Sequence, residues 1–203
     1  LILFGPPKIG KTSIMSCLEN CLILDFEDGS DYVDALKMKV GSLKELHEIT
    51  TAIKEAGKPY RFIAIDTLTA LEDFAKPLAL KLYKMTQQGA GFELADVLKA
   101  PHGAGYGVLR EAIEKIIAIV QSVCDHVILV GHVKDTAIGG ENSDMTVKDL
   151  DLAGKAKRIL ASKSDAIGFV YRDENSNLCI DFSTNGDAAC GARPAHLANK
   201  KII

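Results

Sequence analysis

No apolar run in the chain approaches the roughly 18–20 residues needed to cross a bilayer. No basic leader with a small-residue cleavage site stands at its start. These absences predict a cytoplasmic protein that does not engage a membrane. A surplus of positive charge is missing as well: 24 Lys and Arg stand against 27 Asp and Glu, a net charge of −3. That excludes a polypeptide coated in positive charge. It does not exclude a local basic groove, because polyanions respond to patches more than to totals. The five cysteines include no C-x-x-C pair and make an odd total, which reads as reduced thiols. Cys17 and Cys21 come nearest to ligand spacing, but they fall where a helix gives way to a strand and read as packing residues.

What is present suits one domain over residues 1–203, with 47% apolar and 25% charged residues. The pattern alternates strand and helix: strands at 1–4, 21–26, 61–66 and 126–131, with helices at about 11–18, 31–38, 43–56, 71–82 and 109–120. Pro77 should bend its helix or start a new one. The glycine-rich stretch 86–107 reads as a mobile connection with a helical turn or two near 92–99. From Lys134 to Lys157 the chain is polar without sustained periodicity and reads as a long loop. "RILAS" (158–162), "AIGFVYR" (166–172) and "LCIDFS" (178–183) read as short strands, with "DENSN" (173–177) as a hairpin turn. The predicted fold class is α/β: a mostly parallel sheet with helices on both faces and a C-terminal antiparallel hairpin at one edge. Residues 158–203 are a β-rich extension of the same domain.

The stretch directly after the first strand carries the chemistry. Gly5-Pro6-Pro7-Lys8-Ile9-Gly10-Lys11-Thr12, followed by Ser13, fits G-x-x-x-x-G-K-[ST] between a strand and a helix. Glycines let the backbone wrap a phosphate with its N–H groups turned inward. The helix behind adds its free N–H groups and positive dipole end. Lys11 would lie on the β- and γ-phosphates of ATP, and the Thr12 hydroxyl would complete a Mg²⁺ shell. Residues Gly5 to Ser13 are therefore the expected nucleotide-binding loop of a P-loop NTPase.

Four further residues stand at carboxyl ends of strands, where open α/β sheets bind ligands. Asp66 ends "RFIAID" and is a candidate to hold Mg²⁺ with Thr12; capping of the next helix is the alternative. "LILDFEDGSD" places Asp25 and Glu27 on one face, two residues apart. Glu27 is the candidate general base for water, with Asp25 as support; solvated strand-end acids are the alternative. Asp28, Asp31 and Asp34 belong to the turn and helix start that follow. His132, in "VILVGHVKD", could report the γ-phosphate, or be an ordinary surface histidine. The catalytic candidates are thus Glu27, Lys11 and His132, and the metal ligands Thr12 and Asp66.

These four stations resemble the RecA-like ATPase core. "GPPKIGKTS", "AIDTLTAL", "GYG" (105–107) and "HVILVGHVK" are together similar to compact, AAA-type nucleotide-binding proteins of bacteriophages associated with recombination and single-strand annealing. The resemblance runs over about residues 1–172. It implies an ATPase with Mg²⁺, Glu27 at the catalytic glutamate, single-stranded DNA as a partner that stimulates hydrolysis, and a homo-oligomeric ring or filament. The DNA-contacting loops would fall at about 86–107 and 134–157. The second mixes Lys134, Lys148, Lys155 and Lys157 with five acids, and Phe92 and Tyr106 are the only aromatic platforms in either. The recombinases carry an N-terminal oligomerisation segment not seen here, and the start at Leu1 predicts that the chain begins inside a longer one. A charge from a neighbouring subunit often completes such sites, with Lys155, Lys157, Arg158 and Arg172 as conceivable donors. Three other readings remain: a nucleotide-gated annealing module with little hydrolysis, a P-loop kinase of a small acceptor, and an AAA-class helicase loader. The kinase is disfavoured by a 134–157 loop without arginine, the loader by the lack of a helical lid with a sensor arginine.

Overall fold

Each buried strand alternates its side chains between two apolar layers, and that alternation organises the molecule. The computed structural model describes residues 1–27, 33–137, 146–152, 155–184 and 187–203. Strands β1 (Ile2–Gly5), β2 (Cys21–Asp25), β3 (Lys37–Lys39), β4 (Phe62–Asp66), β5 (His126–Ala137), β6 (Thr146–Leu150), β7 (Ala166–Arg172), β8 (Leu178–Asp181), β9 (Gly191–Ala192) and β10 (Lys201–Ile202) form one sheet. Its order is β10-β8-β7-β1-β5-β4-β2-β3, with β6 paired to β5 and β9 to β7. From β7 to β3 all neighbours in that order are parallel. Strands β8 and β10 continue the sheet antiparallel beyond β7, which is the expected C-terminal hairpin at one edge.

Helices α1 (Lys11–Ser16), α2 (Leu43–Glu55), α3 (Leu68–Lys84), α4 (Ala104–Gln121) and α5 (Ala156–Lys163) cover the sheet. One layer joins Ile2, Phe4, Leu22, Leu24, Ile63, Ile65 and Leu129 to apolar residues of α2, α3, α4 and α5. The other joins Leu3, Ile23, Ala64, Ile128 and Val130 to Met15 of α1 and to Leu197 near the C-terminus. Strands buried on both faces read as unbroken apolar runs, and these did. Ser42 caps α2 by accepting the Glu45 N–H at 3.2 Å, and the Glu45 carboxylate reaches back to the Gly41 N–H at 2.9 Å. α3 runs through Pro77 as one helix.

Four expectations are corrected. Residues 37–39 form strand β3 rather than part of a helix over 31–38; of that stretch 31 and 32 lie outside the described residues. β3 is an edge strand with one neighbour, and its Lys-Met-Lys sequence lacks an apolar signature for that reason. "RILAS" is helical: Ala156 and Leu160, four apart, bury one stripe of α5. A five-residue apolar cluster does not by its period separate strand from helix. The polar stretch after Lys134 is no plain loop, since β5 continues to Ala137 and pairs antiparallel with β6, Val133 opposite Leu150. In the 86–107 stretch, 3-10 turns at Val97–Lys99 and Pro101–Gly103 bury Val97 and Ala100, and α4 begins at Ala104, so "GYG" lies in its first turn. Phe92 packs edge-on against Tyr83, 5.2 Å between ring centres. Among the described residues no helix is long and apolar enough to cross a membrane.

Candidate nucleotide-binding site

The parity of the strands decides which side chains meet. Counting by twos, Asp25 follows Cys21 and Ile23, Asp66 follows Ala64, and His132 follows Ile128 and Val130, all of the layer under α1. Register then brings them level: Asp25 pairs with Asp66, Asp66 with Val130, and Gly5 with His132. Because β5 lies between β1 and β4, His132 arrives between the loop after β1 and the acid at the end of β4.

The loop itself is built by two glycines with different tasks. Gly10 adopts φ +116°, a conformation costly for any residue with a Cβ, and turns the chain into α1 with no side chain capping the helix start. Among the described residues that helix start has no side-chain cap. Gly5 is needed for a neighbour instead: a Cβ there would lie 2.3 Å from the Val170 carbonyl oxygen of β7. Lys11 is buried, 6% exposed, and its ammonium donates to the carbonyl oxygens of Gly5 at 3.0 Å and Pro6 at 2.8 Å. Burial pushes its pKa down, opposed by the charges of Asp66 and Glu27.

Thr12 Oγ1 donates to Asp66 Oδ2 at 2.8 Å, joining the loop to the third strand of the expected site. Asp66 is 7% exposed, and burial holds its carboxyl above the ordinary carboxylate range; the Thr12 bond opposes this, and Asp25 and Glu27 add to it. The following Thr67 caps α3, its hydroxyl accepting the Ala70 N–H at 3.3 Å, so Asp66 is not spent on that task. Glu27 and His132 are in contact, with Nε2 3.1 Å from Oε1 and 3.4 Å from Oε2. His132 Nδ1 is buried and finds no hydrogen-bond partner among the described residues.

A cleft of about 370 Å³ is lined by Pro7, Lys8, Gly10, Lys11, Thr12, Ser13, Asp25, Glu27, Val33, Asp66, Thr67 and His132. Gly5, Pro6 and Ile9 of the expected loop are not among its lining residues. A larger cleft, about 550 Å³, opens at the amino ends of the strands, where Leu1, Phe62 and His126 lie. Its ionic groups already pair in part, Lys163 with Glu114 at 2.7 Å. The polar cleft fits a phosphorylated ligand better: a hydroxyl and a carboxylate are hard oxygen donors of the kind Mg²⁺ takes, and an uncapped helix start with an adjacent ammonium suits phosphate. Of the residues considered as intersubunit cations, Lys157 is paired with Asp149 and Arg172 donates to the Ser176 carbonyl at 2.6 Å. Asp28, Asp31, Glu141 and Asp144 lie outside the described residues. Sequence reasoning missed Thr67 as part of the cleft wall and the contact between Glu27 and His132. Parity on their separate strands was the available signal for the latter.

A family model described as an AAA domain matches residues 1–194, nearly the whole chain. The chain belongs to the AAA domain family. It is a P-loop ATPase-like, nucleotide-binding domain, and the expected fold class is met. No curated protein matches the chain. In this AAA domain the expected phosphate loop follows β1, and the cleft opens beside the carboxyl ends of β2 and β4, where Asp25 and Asp66 meet His132 from within β5.

Proposed function

We propose that residues 1–203 act as one ATP-binding domain that hydrolyses ATP to ADP and phosphate, and that this serves recombination or single-strand annealing in a phage or a bacterium. The observation that carries the reading is the meeting, in one cleft, of the Lys11–Thr12 loop, Asp66 and Glu27. Residues Gly5 to Ser13 hold the triphosphate, with Lys11 leaving its two carbonyl acceptors for the β- and γ-phosphates. Thr12 and Asp66 would hold Mg²⁺, which when bound screens the charge of the phosphates. Glu27 takes a proton from the attacking water, help worth ~10²–10⁴ in rate. His132 meets the γ-phosphate and registers its loss. Single-stranded DNA as partner, a homo-oligomeric assembly and a cytoplasmic location follow from the motif resemblance. Tyr106, 51% exposed, is the stacking platform left in the 86–107 stretch once Phe92 is packed on Tyr83.

One contact favours a second reading, a nucleotide-gated annealing module with slow turnover. Glu27 is already engaged by His132, so the base must leave that partner before it can act. The test is phosphate release across a titration of single-stranded DNA at low salt, with the Glu27→Gln variant alongside and annealing scored in parallel. A rise with DNA, lost in Glu27→Gln together with annealing, supports the ATPase. Annealing that persists without hydrolysis selects the gated module, and activity indifferent to DNA removes the polynucleotide.

A further inference from the structure

The side chain of Asp25 is placed where it can act on Glu27 through the main chain. Asp25 closes β2 and is 4% exposed. Its Oδ1 accepts the main-chain N–H of Glu27 at 2.9 Å. Between them, Phe26 is fixed from the other side: its N–H donates to the Asp66 carbonyl at 2.8 Å, and its ring meets Phe74 of α3 edge-on at 4.9 Å. The first residue beyond the strand is therefore held by the sheet, and the second by a carboxylate. Without that acceptor the Glu27 N–H loses its tie to the strand end, and the peptide that aims the Glu27 side chain is free to rotate.

Asp25 is level with Asp66 across the strand ends and is one of the groups that raise the Asp66 carboxyl. The hydrogen-bonding role needs an acceptor oxygen, not a charge.

We propose that Asp25 is a positioning residue, a strand-end clamp that sets the main chain of Glu27 so that its carboxylate faces the attacking water; this rests on the reading of Glu27 as the base. The clamp works through the acceptor oxygen of Asp25, so Asn serves where Ala or Leu does not.

The test is steady-state ATP turnover by the full chain, with Asp25→Ala, Asp25→Leu, Asp25→Asn, Glu27→Gln and the double variant Asp25→Ala/Glu27→Gln. Asp25→Ala should lower kcat by ~10–100-fold, with KM for ATP within about twofold of wild type. Asp25→Leu, matched in volume, should do the same and guards against a collapse of the Ala variant. Asp25→Asn should recover kcat to within a fewfold of wild type. The double variant should equal Glu27→Gln alone, because the two residues act as a unit. Wild-type kcat in Asp25→Ala, equal damage in Asp25→Asn and Asp25→Ala, or multiplicative loss in the double variant overturns the clamp. The Glu27 amide gives a readout independent of turnover: its hydrogen-exchange protection should fall in Asp25→Ala and Asp25→Leu and persist in Asp25→Asn. Unchanged protection in Asp25→Leu also overturns the clamp. Unaltered turnover in Glu27→Gln would instead fell the assignment of the base, and the clamp with it.

Discussion

The two faces of the sheet are made by the same strands and differ in what happens at the strands' carboxyl ends. On the face under α2, α3, α4 and α5 the terminal residues pack: Leu24 and Ile65 are fully buried, and Phe26 closes on Phe74. On the face under α1, one residue out of step, β2 and β4 end in Asp25 and Asp66, and β5 carries His132 beside them. The first face is a core and the second is a site, and a slip of one residue in any strand would exchange them. Chemistry is gathered on the side with the shorter cover. α1 has six residues, and its start faces the cleft instead of a capping side chain.

The sharpest way to break this contrast is to remove the loop cation. Lys11→Ala should bring phosphate release to background while circular dichroism and Tm show the fold retained; undiminished turnover would remove the site from this face. On the packing face the outcome should reverse. Leu71→Ala empties a fully buried position and should cost about 2–5 kcal/mol in denaturant unfolding. Molecules still folded should keep their affinity for nucleotide, and a comparable loss of affinity would show that the faces are not separate in function.

The smallest effect is the most discriminating. Burial holds the Asp66 carboxyl above its ordinary range, so the folded state binds that proton more tightly than the unfolded one. Stability without nucleotide therefore declines as pH rises from the unfolded carboxylate value, about 4, through the raised folded value, and is level above it. Asp66→Asn removes the charge and keeps an oxygen for the Thr12 hydroxyl. At neutral pH it should raise Tm, while turnover is lost. A lower Tm in Asp66→Asn would mean that the charge is supported by the site rather than tolerated for its chemistry.

The strands that build this site were legible because each is buried on both faces and bounded by polar or glycine-rich turns. "LILF", "CLILDF", "RFIAID" and "HVILVG" carry that signal with little ambiguity. The same signal fails where a strand has one neighbour or none of its faces is fully covered. Lys37–Lys39 lies at the sheet edge, and the arm from Val133 to Ala137 with β6 pairs largely outside the apolar layers. α5 was misread for the opposite reason, since its apolar residues are too few to display a period. Within the site, residue types and strand ends named Lys11, Thr12, Asp66, Glu27 and His132. Their pairing did not follow from spacing along the chain, because Glu27 and His132 are 105 residues apart.

Local sequence by itself determined the loop after β1, since a turn needing Gly10 at positive φ, an ammonium and a hydroxyl at fixed offsets is a short-range pattern. Alternation also gave the parity of each acid and of the histidine within its own strand, but not the face they share. Only the tertiary structure decided which of them touch. Strand order inserted β5 between β1 and β4, and parallel register levelled Asp25 with Asp66 and Gly5 with His132. Such contacts are fixed by long-range hydrogen-bonded pairing and packing, whose partners no local window of the chain contains.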